Sequence, residues 1–364
     1  MVTIVFKDKK RRFLFIKSLM ISMAIIMAVV GGGLAAYRGF VSAPAVETLT
    51  ARPFMPHDPT GDEFAFDIAE PHPEDALLNV SPFTFAEADG WARKPDFYTI
   101  LVFGYDEGLN TDTIMVAAFD VGSRQAYILS IPRDTRIDVR RNVQRINSAY
   151  PVGIRFNGGH DGGVDQLKRE VQTIIGFRPD FYVSVEEAAF ERIIDAVGGV
   201  TVYVPFHMRY DDQLGFRINI PAGYQRLDGE NALHFVRYRL GTGSQTITDF
   251  QRMEHQQQLI AALMDELMSP RTILRIPELI RTYSDHVNTN LSVGEILYFG
   301  EQFVLGEIEL HSYNYPTTST RIQISETQTR WYEIPQAEAA LEIINNTINP
   351  FTRDLTMENL QLAR

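Results

Sequence analysis

The chain of 364 residues contains no cysteine. This absence excludes disulfide bonds, thiolate nucleophiles and zinc sites built from thiolates. The chain also lacks an excess of positive charge, since its formal net charge is −12 at pH 7, and this argues against nonspecific binding to nucleic acids. The hydrolase motifs GxSxG and HExxH are absent as well. With 45% hydrophobic residues, the composition is that of a globular protein.

Basic and apolar residues are arranged at the N-terminus as in a membrane anchor. Five basic side chains precede an uncharged apolar run over residues 18–37: Lys7, Lys9, Lys10, Arg11 and Arg12. The run has the length of about 20 residues that a helix needs to span a bilayer. The positive-inside rule predicts that residues 1–17 are cytoplasmic, residues 18–37 form a single transmembrane helix and the rest lies outside the cell membrane. A cleaved signal with an apolar core of about 7–15 residues is the alternative, and it also exports the protein.

Three further regions follow from composition. Residues 38–95 are rich in proline and acidic residues, which predicts a semi-extended extracytoplasmic stalk. Residues 96–350 carry the periodic apolar patterns of a folded domain, with its core at 97–268, and residues 351–364 are left as a C-terminal tail. The chain shows no internal repeat.

The apolar patterns predict alternating strands and helices. Strands are predicted at residues 97–104, 113–120, 126–131, 181–185, 200–204 and 308–315. Helices are predicted at residues 163–175, 186–197, 229–233, 249–268, 290–306 and 336–346. The glycines at 158–159 and 162–163 are interpreted mainly as a flexible connection. This order predicts an α/β domain of three α-β-α layers with a mixed central sheet.

Charged residues follow the apolar runs where strands end. Asp106 and Asp112 flank a short loop after the first strand and could share one hard cation, although Asp112 could instead cap a turn while Asp106 is solvated. Pro132 ends the third strand and places Arg133 and Asp134 at the sheet edge. A structural ion pair of Arg133 with Asp134 or another carboxylate is the alternative.

Later guanidinium groups extend this pattern. Arg237 and Arg239 are separated by one residue, so on an extended segment they point to the same side, where an anion would relieve their repulsion. Arg252 and Gln256 are four residues apart on a predicted helix and share one face. Solvated surface arginines with local salt bridges are the alternative. Together, the carboxylates and guanidinium groups predict a site for a divalent metal and a polyphosphate.

Several motifs resemble those of the LytR-CpsA-Psr family of cell-wall ligases, in the order of that family. They are GYD at 104–106, DTIM at 112–115, SIPRD at 130–134, RINSAY at 145–150, VGGV at 197–200, LDGENAL at 227–233, FVRYR at 235–239 and the segment 249–257. The predicted anchor and outside domain agree with the family. The resemblance therefore covers the chain from about Phe97 to Met264.

The resemblance implies a phosphotransferase that moves an anionic glycopolymer, such as a teichoic acid or a capsular polysaccharide, from a polyprenyl-pyrophosphate carrier to peptidoglycan. It implies Mg²⁺ on Asp106 and Asp112, and a polyprenyl tail in an apolar tunnel between sheet and helices. The candidate catalytic residues are Arg133, Asp134 and Arg145, and Asp134 is a candidate general base. The pyrophosphate would be bound by Arg133, Arg237, Arg239, Arg252 and Gln256.

Two positions depart from the family pattern. Asn110 stands where the family usually has Arg, and His255 stands where many members have Arg before the paired glutamines. Two alternatives to the ligase stay open at this point: a hydrolase that uses water as acceptor, and a non-enzymatic module that binds lipid pyrophosphate or wall polymer.

Overall fold

The computed structural model describes residues 39, 41–45, 91–141, 143–211, 217–239, 246–267, 287–306, 308–324 and 328–362. The predicted cytoplasmic segment 1–17, the transmembrane helix 18–37 and nearly all of the stalk 38–95 lie outside these residues. Within the described ranges, no helix combines the length and hydrophobicity that crossing a bilayer requires.

The strands form one large sheet and three small ones. They are β1 Phe97–Tyr105, β2 Thr111–Asp120, β3 Gln125–Ser130, β4 Phe181–Glu186, β5 Val200–Val204, β6 Met208–Asp211, β7 Arg217–Ile220, β8 Gly223–Leu227, β9 Val287–Thr289, β10 Glu309–Asn314, β11 Thr317–Gln323 and β12 Thr329–Pro335. The central sheet has the order β10-β3-β2-β1-β4-β9. Two of its pairings, β1 with β4 and β3 with β10, are parallel, and the other three are antiparallel. The predicted mixed central sheet is confirmed.

Strands β5 to β8 and β11 to β12 lie outside the central sheet. Strand β5, predicted at 200–204, pairs with β8, while β6 pairs with β7. Strands β11 and β12 form an antiparallel hairpin after β10. The sequence patterns predicted neither strand of this hairpin. They also missed β6, β7, β8 and β9.

The helices are α1 Ala149–Phe156, α2 Gly159–Ile175, α3 Glu187–Val197, α4 Gly229–Arg237, α5 Asp249–Leu267, α6 Val293–Gly306 and α7 Ala337–Thr347. All except α1 were predicted, with small differences in their bounds. Two helices are longer than predicted: α4 extends to Arg237 rather than ending near residue 233, and α2 begins at Gly159 rather than at residue 163.

The central sheet is covered on both faces, as its near-continuous apolar strands predict. On β1, Leu101 and Phe103 are buried in a core that includes Val171 of α2 and Ile344 of α7. Tyr98 of the same strand packs on the opposite face, in a cluster with Phe299 of α6. Because side chains alternate along a strand, these contacts place helices on either side of the sheet.

A second core holds strands β5 to β8 and helices α3 to α5 together. It includes Ile194 of α3, Val202 of β5, Phe235 of α4 and Leu259 of α5, all of them buried. This core fixes α4 and α5 relative to each other, and these two helices carry the later candidate arginines.

The glycines near residue 160 bring α1 and α2 into close contact. Helix α2 begins at Gly159, so Gly162 and Gly163 lie inside it. A Cβ at Gly153 of α1 would come within 2.3 Å of the backbone oxygen of Gly162. The interpretation as a flexible connection is therefore wrong for Gly162 and Gly163, where glycine is needed for tight helix packing. Gly158 and Gly159 lie at the junction of α1 and α2.

Residues on both sides of the predicted domain pack into it. Phe351 and Leu355, from the segment predicted as a tail, are buried in the main core. Arg93, from the end of the predicted stalk, forms an ion pair with buried Asp180 at 2.8 Å between Nη2 and Oδ2. The folded unit in the structure therefore extends at least from Trp91 to Leu362.

Candidate functional site

Asp106 and Asp112 lie on either side of the turn that joins β1 to β2. The backbone N–H of Asn110 donates a hydrogen bond of 2.9 Å to Oδ1 of Asp106, so Asp106 helps to close the turn. Leu109 takes a positive φ of 63° within it. Asp112, the second residue of β2, has a side chain that is 40% exposed.

Arg133 and Asp134 lie in a tightly bonded loop that follows β3. The backbone N–H of Thr135 donates to the carbonyl of Pro132 at 3.0 Å, which closes a turn around the two residues. On the other side, the backbone N–H of Glu333, from β12, donates to the carbonyl of Asp134 at 3.0 Å. The hairpin β11–β12 therefore fixes the position of this loop.

Two ion pairs link these residues. Nη1 of Arg133 lies 2.6 Å from Oδ1 of Asp112, and Nη1 of Arg145 lies 3.0 Å from Oδ1 of Asp134. The structure therefore shows the alternative given for Arg133 in the sequence analysis, an ion pair with a carboxylate other than that of Asp134. The pairing does not exclude a phosphate site, because Arg133 and Asp112 are both partly exposed and the guanidinium group can exchange the carboxylate for a phosphate oxygen.

Helix α5 brings two further candidates to the same place. Arg252 and Gln256 are both buried, at the i, i+4 spacing predicted from the sequence. The next residue, Gln257, attaches the helix to the sheet, since its Nε2 donates to Oγ of Ser130 at 2.7 Å and to Oδ1 of Asn314 at 2.9 Å. Helix α5 is therefore fixed over the ends of β3 and β10.

These side chains surround one small cavity of about 10 Å³. Its lining includes five candidates predicted from the sequence, namely Asp112, Arg133, Asp134, Arg252 and Gln256. Glu333 of β12 lines it as well. A cavity of this size holds about one water molecule, so a pyrophosphate can enter only if the surrounding side chains move apart. We call this group of residues the β3–α5 site.

Four candidates from the sequence do not line the cavity of the β3–α5 site: Asp106, Arg145, Arg237 and Arg239. Arg145 acts on it through Asp134. Arg237 and Arg239 are exposed on either side of buried Tyr238. Arg237 is the last residue of helix α4, so the assumption that both arginines lie on an extended segment is wrong for Arg237.

Glu187, at the start of α3, connects Arg237 with the two aspartates. Its Oε1 lies 2.9 Å from Nη1 of Arg237. Burial raises the pKa of Glu187, the positive charge of Arg237 opposes this rise, and the negative charges of Asp106 and Asp112 add to it. Glu187 is therefore close enough to both aspartates to interact with them electrostatically.

The acidic residues at the β1–β2 turn fit a cation that is shared with phosphate oxygens. Among the described residues, no group of three or more His, Asp or Glu side chains could hold a metal ion by itself. Asp106 and Asp112 both add negative charge around Glu187, however, and a cation would relieve this repulsion. Mg²⁺ commonly uses one or two carboxylates together with substrate phosphates, so the two aspartates suit it once a pyrophosphate supplies the remaining oxygens.

Glu187 and Glu333 were not predicted as site residues. Glu187 has no sequence signal apart from its place at the start of a helix. Glu333 lies on a strand that the sequence did not predict, about 200 residues beyond Arg133 in the chain. Its carboxylate accepts a hydrogen bond of 2.7 Å from Oγ1 of Thr317 and another from Ser319, and these bonds hold it in place beside the cavity.

Because the side chain of His255 is buried, we expect the protein to lose stability in acid. The ring of His255 stacks on Phe235 with centroids 4.6 Å apart. Burial lowers its pKa to about 4 from the usual 6.5, with a backbone hydrogen bond at Phe235 opposing the shift. Because the pKa of His255 is lower in the folded state than in the unfolded state, its contribution to the free energy of unfolding is complete above pH 6.5. This contribution is lost as the pH falls towards 4. From pH 7 to pH 5, we expect this residue to account for a loss of about 2 kcal/mol in the free energy of unfolding.

Chemical denaturation at the two pH values measures this loss. In a His255→Gln variant the difference between pH 7 and pH 5 should shrink by that amount, whereas His207→Gln, at an exposed position, should leave it unchanged. An equal difference in His255→Gln and the parent chain would show that His255 does not titrate as described.

Comparison with known proteins decides the family. A model described as the LytR_cpsA_psr family matches residues 65–348. The chain belongs to the LytR_cpsA_psr family. The family model extends beyond the motif region on both sides, and it includes the hairpin β11–β12 that contributes Glu333 to the β3–α5 site.

Individual relatives agree with this family. The chain is 27% identical over 234 residues to the regulatory protein MsrR of Staphylococcus aureus (strain COL), covering 63% of this chain and 67% of MsrR. It is 30% identical over 215 residues to the polyisoprenyl-teichoic acid–peptidoglycan teichoic acid transferase TagV of Bacillus subtilis (strain 168), covering 56% of this chain and 51% of TagV. The chain therefore spans about half the length of TagV in this match.

The fold also agrees with a solved member of the family. The crystal structure of TagV from B. subtilis matches 70% of this chain and 96% of the TagV chain in that structure, with a TM-score of 0.56 and 25% identity. The mixed α/β architecture around the central sheet is therefore that of a LytR_cpsA_psr protein.

The β1–β2 turn explains how this LytR_cpsA_psr chain accommodates Asn110. Both hydrogen bonds of the turn at this position use the backbone: the N–H of Asn110 donates to Asp106 Oδ1, and its carbonyl accepts from the N–H of Asp106 at 3.2 Å. The side chain at position 110 does not determine the turn, so the placement of Asp106 survives the departure from the family pattern.

Proposed function

We propose that this chain is a phosphotransferase that moves an anionic glycopolymer from a polyprenyl-pyrophosphate carrier to peptidoglycan and joins them by a phosphodiester. The observation that carries the proposal is the β3–α5 site, where Arg133, Arg252 and Gln256 meet Asp112 around one cavity. This arrangement occurs in a family to which TagV, a teichoic acid transferase acting on peptidoglycan by its name, also belongs.

The guanidinium groups supply the electrostatic part of the reaction. Arg133 would exchange Asp112 for a phosphate oxygen when the pyrophosphate enters, and Arg252 would bind a second oxygen from the opposite side. Arginine suits both roles because its donors match phosphate oxygens in pairs. Fixed donors at positions where negative charge develops are among the largest contributions to catalysis.

The release of Asp112 from Arg133 prepares a cation site. Asp106 and Asp112 would hold Mg²⁺ together with the pyrophosphate. When bound, Mg²⁺ neutralises charge on the phosphate oxygens. Arg237 and Arg239, exposed at the end of α4, would contact the pyrophosphate from the solvent side, and Glu187 holds Arg237 near the two aspartates until the substrate arrives.

The bond changes are those of an in-line displacement at phosphorus. A hydroxyl oxygen of a peptidoglycan sugar attacks the phosphorus that is bonded to the glycopolymer. The bond from this phosphorus to the bridging oxygen breaks, and polyprenyl phosphate leaves with the bonding electron pair. Asp134 would accept the hydroxyl proton, since Arg145 holds its carboxylate at the cavity.

The predicted N-terminal anchor suits this substrate. A single-pass helix with its N-terminus in the cytoplasm would place the domain on the outer side of the membrane, where the lipid-linked donor is held in the same plane. Such tethering raises the effective concentration of the donor at the site.

The test is product analysis with the full-length chain. We would incubate the purified protein in detergent with a lipid-linked pyrophosphoryl saccharide, peptidoglycan oligomers and Mg²⁺, and analyse the products by mass spectrometry. The proposal predicts a saccharide joined to peptidoglycan through a phosphodiester, and its loss in Asp112→Ala. Free saccharide phosphate as the sole product would indicate the hydrolase, and tight lipid binding without product would indicate a binding module.

A further inference from the structure

A second cavity lies along the edge strand β10. It has a volume of about 420 Å³ and opens between β3, β10 and helix α7. It shares no lining residue with the β3–α5 site. We call it the β10–α7 cleft.

One wall of the β10–α7 cleft is aromatic. Tyr127 and His311 are direct neighbours in the parallel pairing of β3 with β10, and their rings stack with centroids 5.6 Å apart and 26° between planes. Nε2 of His311 lies 2.8 Å from Oε1 of Gln125, which fixes the orientation of the ring. Tyr313 is two residues further along β10 on the same face, and it is 37% exposed. The wall therefore offers two aromatic surfaces about 7 Å apart along the strand.

The opposite wall is polar. Glu342 and Asn346 lie one turn apart on α7, and both are exposed. Together they offer a carboxylate that accepts hydrogen bonds and an amide that donates and accepts them. A ligand in the cleft would meet flat aromatic rings on one side and hydrogen-bonding groups on the other.

The charge of the lining restricts the ligand. All the residues that line the cleft belong to the described part of the chain, and none of them is lysine or arginine. Glu342 contributes negative charge, and Glu309 lies close by, with one carboxylate oxygen 3.8 Å from Nε2 of His311. A negative potential disfavours anions, so the cleft does not suit a pyrophosphate or a polymer of phosphates.

We infer that the β10–α7 cleft binds an uncharged saccharide chain of N-acetylated sugars. The apolar faces of sugar rings pack on aromatic side chains, while hydroxyl and acetamido groups match the amide and carboxylate of α7. The volume lies within the range of about 300–1,000 Å³ that small-ligand sites occupy. The cleft is open at the sheet edge, so a longer chain can extend beyond it.

The position of the cleft suggests which saccharide it takes. Strand β3 carries Tyr127 into the cleft and ends at Ser130, which lines the β3–α5 site, about 10 Å further along. Because side chains alternate along a strand, Tyr127 and Ser130 lie on opposite faces of the sheet. A saccharide chain in the cleft would therefore have to pass around the edge strand β10 to reach the place of phosphoryl transfer. On the proposed function, on which this assignment rests, the chain is the glycan strand of the acceptor.

Calorimetric titration of the full-length protein with a tetramer of N-acetylglucosamine tests the inference without any donor lipid. We expect saturable binding, and a Kd at least tenfold higher for Tyr313→Ala. Tyr224→Ala is the matched control, because Tyr224 is 80% exposed on β8 and does not line the cleft, and it should bind as the parent does. Asn346→Ala should weaken binding without removing an aromatic ring.

Three results would overturn the inference: no binding by the parent protein at millimolar tetramer, equal binding by Tyr313→Ala and the parent, or displacement of the tetramer by an equal concentration of a glycerol phosphate oligomer. Because the titration contains no donor, its outcome is independent of transfer. Binding that depends on Tyr313 in a protein without transfer activity would support the cleft and contradict the proposed function. Transfer by a protein that does not bind the tetramer through Tyr313 would contradict the cleft and support the proposed function.

Discussion

Replacement of Arg252 by alanine is expected to lower the rate of glycopolymer transfer by about 10²–10³-fold, the usual effect of removing one fixed donor from a site where charge develops. Arg252 is buried beside Gln256 at the β3–α5 site, so solvent cannot replace its guanidinium group there. The measurement is the initial rate of phosphodiester formation with a lipid-linked donor at saturating peptidoglycan. Arg252→Lys should recover part of the rate, because it restores the charge but not the paired donors.

Two controls separate this effect from damage to the fold. Arg217→Ala removes an arginine that is 74% exposed in the side chain. Neither Arg217 nor its partner Asp211 lines the cavity of the β3–α5 site, so the rate of this variant should equal that of the parent. Thermal unfolding shows whether each variant is folded at the assay temperature. A folded Arg252→Ala protein with a rate within twofold of the parent would exclude Arg252 from the pyrophosphate site.

Replacement of Asp180 by alanine is expected to lower the free energy of unfolding by about 3–5 kcal/mol, the usual cost of removing one partner from a buried ion pair. Asp180 lies before β4, and its side chain is 2% exposed. It accepts hydrogen bonds from Nη1 and Nη2 of Arg93, at 2.9 and 2.8 Å, and from the backbone and hydroxyl of Thr99, at 2.9 and 2.7 Å. Its removal leaves the charge of Arg93 uncompensated inside the fold.

Denaturant unfolding monitored by circular dichroism measures this loss. Asp211→Ala is the matched control, because its pair with Arg217 is exposed and exposed pairs contribute about 0–1 kcal/mol. If Asp180→Ala and Asp211→Ala lost equal stability, the segment that carries Arg93 would not be part of the folded unit. The result also determines where a truncated domain can begin, since cleavage after Arg93 removes the same pair.

The sequence predicted strands β1 to β3 of the central sheet well because these strands are largely buried, but it missed the edge strand β9. Strands such as β1 and β2 are nearly continuous apolar runs, and this pattern depends little on the rest of the fold. Strands β6 and β7 have only four residues each, and β11 and β12 carry many polar residues. Neither periodicity nor composition therefore distinguishes these strands from loops. They form because tertiary contacts, such as the backbone bonds between Glu333 and the loop at Asp134, hold them in place.

The candidate site was predictable where a residue follows a predicted strand or lies on one helical face. Arg133 and Asp134 follow β3, and Arg252 and Gln256 share a face of α5, so the structure brings all four together at one cavity. The ion pair of Arg133 with Asp112 and the pair of Arg237 with Glu187 could not be derived in this way, because each partner comes from an element whose relative position depends on the whole fold. The family resemblance assigned roles to Arg237 and Arg239, but the pattern around them did not reveal that helix α4 reaches Arg237.

The closed state of the β3–α5 site has a consequence for substrate entry. The cavity of about 10 Å³ is too small for a pyrophosphate, and Arg133 and Asp112 both line it. Both side chains are partly exposed, 22% for Arg133 and 40% for Asp112, so solvent reaches the pair and screens part of its attraction. The incoming phosphate provides the new partner for Arg133, and Asp112 becomes available to a cation in the same step.

Transfer in water enriched in ¹⁸O tests the central claim most directly. The full-length protein, a lipid-linked pyrophosphoryl saccharide, peptidoglycan oligomers and Mg²⁺ would react in this solvent, and mass spectrometry would locate the isotope. The account predicts a phosphodiester on peptidoglycan without ¹⁸O, because the attacking oxygen comes from a sugar hydroxyl, together with unlabelled polyprenyl phosphate. Saccharide phosphate that carries ¹⁸O, formed at the same rate with and without peptidoglycan, would show that water is the acceptor and would contradict the account.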